Sequence, residues 1–297
     1  MILTFGDSVT WGQGLLEEHK FDAIFAAAKS IPLTRAAHSG AVIGTRNDTS
    51  SEVESGEVPV PWPSVWQQVQ AQRDWSQVEI ALLNGGINDV GLTRILNPVT
   101  STSQIAGLVN QFCGQNMEAL LLALAAKLTA PGARIALLGY YPIFSSQSLG
   151  ASDDQVRSLL ELHGVSTTSF MSPATFGRPA FVPQVVTNCL AFWNRSNAAF
   201  RSAVAGANAA LGRAVCSFVP GPFTEANALW APDPLLWQLT PELTAEDEVS
   251  GSRGAVCQVL YGDVAHLPQW IQCDRASVGH PNVAGSALIA GTLVANL

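Results

Sequence analysis

Three short segments of the chain carry side chains suited to acyl transfer. Gly6-Asp7-Ser8 lies near the start, Asn84-Gly85-Gly86-Ile87-Asn88-Asp89 in the middle, and Gly279-His280-Pro281-Asn282 near the end. A serine hydroxyl becomes a nucleophile when a base such as histidine removes its proton, and an asparagine amide donates an N–H to the oxyanion that then forms. Each segment alone is typical of an ordinary turn or helix cap. Their order along one chain is what predicts a serine-histidine site.

Short apolar runs predict the strands that position these segments. They alternate with longer amphipathic stretches, which is typical of a parallel sheet covered by helices. The predicted strands are Ile2 to Phe5, Thr34 to His38, Val78 to Asn84, Ala133 to Tyr141 and Ala214 to Val219. The serine segment follows the first strand and the asparagine segment follows the third. Because open α/β sheets bind ligands at the carboxyl ends of their strands, we expect the two segments at one edge of the sheet.

The predicted helices begin at recognisable caps. Ser101-Thr102-Ser103-Gln104 is a capping box, and apolar residues at helical spacing follow it as far as Leu128, before Pro131-Gly132. Further helices are expected around 63–73, around 189–211, and from 281 to the end. Pro63 and Pro281 would each occupy the first turn of a helix, because proline lacks the N–H that this turn leaves unbonded. This placement predicts that His280 lies at the mouth of the last helix.

Length and composition predict one folded domain over residues 1–297. The hydrophobic share of 47% excludes a disordered chain. Two stretches, at about 142–188 and 220–273, are rich in Pro, Gly, Ser and Thr with little periodicity, and we interpret them as insertions. Trp230 and Trp237, with Phe223 and Leu229, give the second insertion an apolar content that either lines a pocket or forms a small core under the loop.

Charge, hydropathy and cysteine spacing exclude several classes of protein and partner. A net charge of −8 without a cluster of Lys or Arg argues against nucleic acid. No apolar stretch reaches the roughly 18 to 20 residues that a transmembrane helix needs. The chain as given shows no export signal, so it is either cytoplasmic or exported with its signal removed. The five cysteines lack metal-ligand spacing, and a Cys257–Cys273 disulfide and five buried thiols are both compatible with their positions.

Taken together, the three segments resemble the SGNH (GDSL) hydrolase superfamily over the whole chain. The resemblance implies a flavodoxin-like three-layer α/β/α fold with a five-stranded parallel sheet, and hydrolysis of esters without a metal or cofactor. It assigns the nucleophile to Ser8 and the general base to His280. It assigns the oxyanion hole to the backbone N–H of Ser8, the backbone N–H of Gly40 and the side-chain amide of Asn88.

The third member of the triad departs from the family's pattern. The family commonly has an aspartate three residues before the histidine, and this chain has Ser277 there. The group needed is an acceptor for the imidazole Nδ1–H, which fixes the tautomer and stabilises the imidazolium. Asp274 and a backbone carbonyl near Ser277 are the two local alternatives. Carboxylates farther away in sequence are Glu225, Asp233 and Asp263.

The favoured function is therefore a carboxylester hydrolase of the esterase, lipase or phospholipase type, acting on a small-molecule or lipid ester through an acyl-serine. A carbohydrate O-acetylesterase and an acyltransferase are alternatives on the same fold. The missing aspartate also motivates a non-catalytic binding module.

Overall fold

The computed structural model describes residues 1–48, 55–166, 178–262 and 268–297. Its sheet has five strands, all parallel, in the order β2-β1-β3-β4-β5. The strands are β1 Ile2–Phe5, β2 Leu33–Arg35, β3 Ile80–Leu83, β4 Arg134–Leu138 and β5 Cys216–Val219. This is the flavodoxin-like order, in which the chain first adds β2 on one side of β1 and then β3 on the other.

Each predicted strand is present, and most are shorter than their apolar runs. At the end of the fourth run, Tyr140 donates its N–H to Asn197 Oδ1 at 3.0 Å rather than to a neighbouring strand. Hydrophobicity continues beyond the strand because these residues remain buried in loops. A run of apolar residues therefore predicts which residues are buried, and the strand occupies only part of that run.

Helices cover both faces of the sheet, and β1 and β3 are buried along their whole length. The helices are α1 Ser8–Trp11, α2 Phe21–Lys29, α3 Val65–Ala71, α4 Ile87–Val90, α5 Leu92–Leu96, α6 Thr102–Val109, α7 Met117–Ala125, α8 Asp153–Leu162, α9 Arg178–Leu211, α10 Ser250–Tyr261, α11 Pro268–Asp274 and α12 Val283–Asn296. A π-helical segment, Asn110–Asn116, joins α6 to α7. Helix α2 packs on α12, and α6 and α7 pack on α9.

The predicted capping box at Ser101 is confirmed, but the two proline predictions are wrong. Ser64, not Pro63, precedes α3, and its side chain accepts the N–H of Gln67 at 3.3 Å. Asn282, not Pro281, is the N-cap of α12, and its Oδ1 accepts the N–H of Gly285 at 3.0 Å. In both helices a side chain that satisfies a free backbone N–H decides the start, and the proline lies just outside.

The second expected insertion packs against the rest of the chain. Phe223, Leu229 and Trp230 are buried in the main hydrophobic core. These side chains therefore extend the main core and do not form a separate core under the loop, and Phe223 also lines a small cavity. A small separate core contains Val58 and the disulfide between Cys257 and Cys273. No helix in the described part of the chain has the length and apolar character to cross a membrane.

Candidate active site

Ser8 lies at the first position of α1, directly beyond the carboxyl end of β1. Asp7 caps this helix by accepting the N–H of Val9 at 2.9 Å. Gly6 turns the chain with φ +146°, and a Cβ at Gly6 would come within 2.7 Å of the Asn84 carbonyl. The turn is therefore open only to glycine, and it places the Ser8 hydroxyl at the edge of the sheet.

His280 meets Ser8 from the far end of the sequence. The distance from its Nε2 to the Ser8 Oγ is 2.6 Å. A short antiparallel pairing holds the histidine's backbone: Trp237 donates its N–H to the His280 carbonyl at 2.8 Å, and Gly279 donates to the Trp237 carbonyl at 2.9 Å. The Tyr141 hydroxyl also donates to the Gly279 carbonyl at 3.1 Å. These three hydrogen bonds fix the backbone of Gly279 and His280, and so the position from which the imidazole extends.

The other ring nitrogen of His280 determines the tautomer. Its Nδ1 lies 3.1 Å from the carbonyl oxygen of Ser277, an atom that only accepts hydrogen bonds. The proton must therefore be on Nδ1, which leaves the lone pair of Nε2 facing the hydroxyl of Ser8. Burial lowers the pKa of His280 to about 4, and the Ser277 carbonyl offsets part of that effect. The ring is neutral at physiological pH and able to accept a proton.

Asp274 is placed elsewhere. Its backbone carbonyl accepts two hydrogen bonds from the guanidinium of Arg253, at 3.0 and 2.8 Å. Among the described hydrogen bonds, none joins its carboxylate to His280. Burial raises the pKa of that carboxyl, and the nearby positive charges of Arg253 and Arg275 lower it in part. Of the two local alternatives for the third member, the geometry at Nδ1 fits the Ser277 carbonyl.

The more remote carboxylates also have other positions. The Glu225 carboxylate accepts the backbone N–H of Ser146 at 3.1 Å. Among the described hydrogen bonds, none joins the Asp233 carboxylate to His280, and the backbone N–H of Asp233 donates to the Ala226 carbonyl at 3.0 Å. Asp263 lies outside the described residues.

A buried ion pair lies behind the Ser277 carbonyl. The side chains of Arg253 and Asp247 are both 0% exposed and make two hydrogen bonds, of which Nη1 to Oδ1 is 3.0 Å. The Ser277 hydroxyl donates to the same carboxylate at 2.5 Å. The residue whose carbonyl orients His280 is thus tied through its own side chain to a fully buried charge pair.

The same arginine also reaches the segment that follows Ser8. Its Nη1 lies 3.5 Å from Glu57, and Glu57 accepts from Trp11 Nε1 at 2.7 Å and from Gln13 Nε2 at 2.8 Å. Arg253 therefore connects the two segments that carry the serine and the histidine. This network was not predicted from the sequence, because Arg253 lies 196 residues from Glu57 and no local spacing indicates the contact.

Ser8, Gly40 and Asn88, each of which has an N–H group, line the same cavity. The backbone N–H groups of Ser8 and Gly40 have no acceptor among the described residues. Gly40 has φ +76°, and a Cβ there would come within 2.6 Å of the Val60 nitrogen. Asn88 donates one Nδ2 proton to the Ala41 carbonyl at 2.9 Å, which orients its amide and leaves the second proton available. These are the donors that the resemblance assigned to an oxyanion hole.

A buried hydrogen-bond chain connects the serine and asparagine segments. Ile87 donates its N–H to the Tyr140 hydroxyl at 2.9 Å, and that hydroxyl donates to Asp7 Oδ2 at 2.7 Å. Burial raises the pKa of Asp7 to about 6, although the hydrogen bonds from Tyr140 and Val9 lower it in part. Ile87 directly precedes Asn88, and Asp7 directly precedes Ser8. These hydrogen bonds therefore fix the positions of Asn88 and Ser8 relative to each other.

The site opens into a cavity of about 260 Å³. Its lining combines the polar groups just described with apolar side chains from α4, α5, α8, the segment between β4 and α8, and the segment before His280. The apolar lining residues include Ile87, Leu92, Leu96, Ile143, Leu159 and Leu162. Apolar walls with a few convergent polar groups are typical of sites for small organic ligands. Among the described residues, no group of three or more His, Cys, Asp and Glu side chains could hold a metal ion.

Comparisons of sequence found no relative: no protein-family model matches the chain, and no curated protein matches it. Comparison of structures did. The crystal structure of phospholipase A1 from Streptomyces albidoflavus NA297 matches with a TM-score of 0.54 at 15% identity, covering 100% of this chain and 98% of that one.

Two other matches are carbohydrate esterases. A family two carbohydrate esterase from Clostridium thermocellum has a TM-score of 0.46 at 14% identity, and the acetyl xylan esterase Est2A from Butyrivibrio proteoclasticus has 0.40 at 15%. These matches cover 99% and 100% of this chain and 62% of each esterase. The sheet order and the match to the phospholipase A1 structure agree: the chain has the fold predicted from its sequence, that of the SGNH hydrolases.

Proposed function

We propose that the protein is a carboxylester hydrolase that acts through an acyl-Ser8 intermediate. The observation that carries the proposal is the 2.6 Å contact between Ser8 Oγ and His280 Nε2, with Nδ1 held by a carbonyl. That arrangement gives the serine a base in the required tautomer. A hydroxyl bonded to an imidazole lone pair at the end of a cavity is suited to attack on an acyl carbon.

The steps use groups of this chain. His280 takes the proton from Ser8 as its oxygen attacks the ester carbonyl. The N–H groups of Ser8, Gly40 and Asn88 stabilise the oxyanion, and the alcohol leaves with the proton that His280 returns to it. Water, deprotonated by His280, then attacks the acyl-serine, and His280 returns that proton to Ser8 Oγ as the acid leaves. Because no step requires a metal ion, the rate of ester hydrolysis should be unchanged after exhaustive chelation.

The Ser277 carbonyl takes the place of the aspartate in this proposal. It fixes the imidazole as a carboxylate would, but it carries no formal charge and stabilises the imidazolium less. The pKa of His280, lowered to about 4, is consistent with a buried base that lacks a neighbouring carboxylate. The apolar side chains of the cavity favour an acyl chain longer than acetyl, which separates this proposal from a carbohydrate deacetylase.

Labelling with a fluorophosphonate and turnover of nitrophenyl esters test the proposal. We expect the native protein to be labelled, and Ser8→Ala to lose both labelling and turnover with an unchanged circular dichroism spectrum. Ser202→Ala, which removes an exposed hydroxyl on α9, is the matched control and should retain both. Near-native turnover by Ser8→Ala would place the active site elsewhere, and absence of labelling in the native protein would favour a binding module. A chain-length series of the same esters should peak above acetate.

A further inference from the structure

The cavity beside Ser8 contains one charged side chain among the described residues that line it, and that side chain is Arg275. None of the described lining residues is an aspartate or a glutamate. The two histidines of the lining, His163 and His280, are neutral at physiological pH because burial lowers their pKa values to about 3 and about 4. Arg275 is therefore the one positive charge among the described residues of the lining, although the chain as a whole carries a net charge of −8.

The charge of Arg275 is compensated only in part, by the electrostatic influence of the adjacent Asp274 carboxylate. The Arg275 Nε is buried without a hydrogen bond to a described residue, and its guanidinium forms no ion pair with a described carboxylate. This contrasts with Arg253 and Arg35, whose guanidiniums each pair with two carboxylates. Partial burial lowers the pKa of Arg275, and the negative charge of Asp274 offsets part of that effect. A guanidinium left unpaired at a binding cavity is suited to a ligand that supplies the anion.

The position of Arg275 in the chain indicates which half of an ester it meets. It follows α11 directly and lies five residues before His280, on the segment that carries the imidazole. In the proposed reaction His280 returns its proton to the leaving oxygen, so the alcohol half of the substrate must lie on the side of that segment. The planar fork of a guanidinium matches both phosphate and carboxylate oxygens.

We propose that Arg275 binds an oxyanionic group, a phosphate or a carboxylate, on the alcohol half of the ester substrate. This inference rests on the proposed function and adds the substrate class to it. The substrate then combines an apolar acyl chain with an anionic alcohol, in agreement with a cavity that has apolar walls and one cation.

Matched esters with one acyl chain isolate the anion. The substrates are 1-butyryl glycerol, 1-butyryl glycerol 3-phosphate and the butyryl ester of glycerate, with butyrate release followed at constant pH. For the native protein we expect a higher kcat/KM with both anionic esters than with the neutral one. In Arg275→Gln the ratio of anionic to neutral kcat/KM should fall by about 10- to 100-fold, the range for a hydrogen bond between charged groups. Arg275→Lys should retain part of the ratio.

The control is Arg213→Gln, which removes one positive charge from an exposed position before β5, at the opposite end of the sheet. Its ratio should equal that of the native protein. An unchanged ratio in Arg275→Gln would overturn the proposal. A fourth substrate, the monosuccinyl ester of glycerol, has its anion on the acyl half. A loss of kcat/KM confined to this ester would also overturn the proposal. A loss with either anionic alcohol supports it, and the larger loss identifies the oxyanion.

Two further measurements keep the test decisive. If Arg275→Gln does not fold, inhibition of the native protein provides the test. Glycerol 3-phosphate should inhibit hydrolysis of butyryl glycerol competitively, and the inhibition should be weaker in high salt. Glycerol should not inhibit this hydrolysis. Absence of that inhibition would contradict the proposal. Failure of the proposed function has a separate signature: hydrolysis of butyryl glycerol would then persist in Ser8→Ala, whatever happens to the ratio.

Discussion

Replacing Asp247 by asparagine should destabilise the protein strongly, because it leaves the Arg253 guanidinium buried without its main counter-charge. Both side chains are 0% exposed. Removal of one partner from a buried ion pair costs about 3 to 5 kcal/mol. Glu57 remains 3.5 Å from the guanidinium, and the asparagine oxygen still accepts one hydrogen bond, so we expect a loss near the lower end, about 3 kcal/mol.

Urea denaturation measures this loss. With a slope of about 3 kcal/mol per molar for a chain of this size, the midpoint should move down by about 1 M while the slope stays constant. The same substitution should also lower kcat by between about 10- and 100-fold with a smaller change in KM. The reason is that the Ser277 hydroxyl loses its charged acceptor and the carbonyl that orients His280 is less well fixed.

Two variants separate this explanation from a general effect of losing a carboxylate. Glu79→Gln removes a carboxylate that is 60% exposed and paired with the N-terminus, and should cost less than about 1 kcal/mol. Asp247→Leu combined with Arg253→Met removes both charges, and should recover most of the stability lost by Asp247→Asn. The reasoning would be refuted if Asp247→Asn moved the urea midpoint no further than Glu79→Gln.

Four other predictions concern the oxyanion hole, Asp274, the pKa of His280 and the disulfide. Asn88→Ala should lower kcat by about 10² to 10³ with little change in KM, since the contact forms in the transition state; an effect on KM alone would contradict an oxyanion-hole role. Asp274→Asn should change kcat by about twofold or less, whereas a loss near 10⁴ would show that its carboxylate orients the imidazole after all. The pKa of His280, lowered to about 4, predicts that kcat/KM is lost only as pH falls through about 4, because protonation removes the base; an acid limb near 6.5 would contradict it. Replacing Cys257 and Cys273 together by serine should lower the free energy of unfolding by about 3 kcal/mol, as measured by urea denaturation without reductant; an unchanged midpoint would show that the loop closure contributes nothing.

Local pattern was sufficient for much of this protein. The apolar runs predicted all five strands, and a serine after the first and an asparagine after the third had to share the carboxyl edge of a parallel sheet. The capping box at Ser101 was equally readable, because a cap is satisfied within four residues. These features depend on spacing along the chain, so a single sequence carries them.

The contacts that complete the site depend on the folded chain. Ser8 and His280 are 272 residues apart, and Ser277 rather than Asp274 reaches Nδ1 because the turn before His280 directs a carbonyl, not a side chain, toward the ring. The sequence likewise does not predict that Arg253 pairs with Asp247, or that Arg275 forms no ion pair with a described carboxylate. Whether a charge is compensated depends on burial and on which loops pack together, and no local spacing records either.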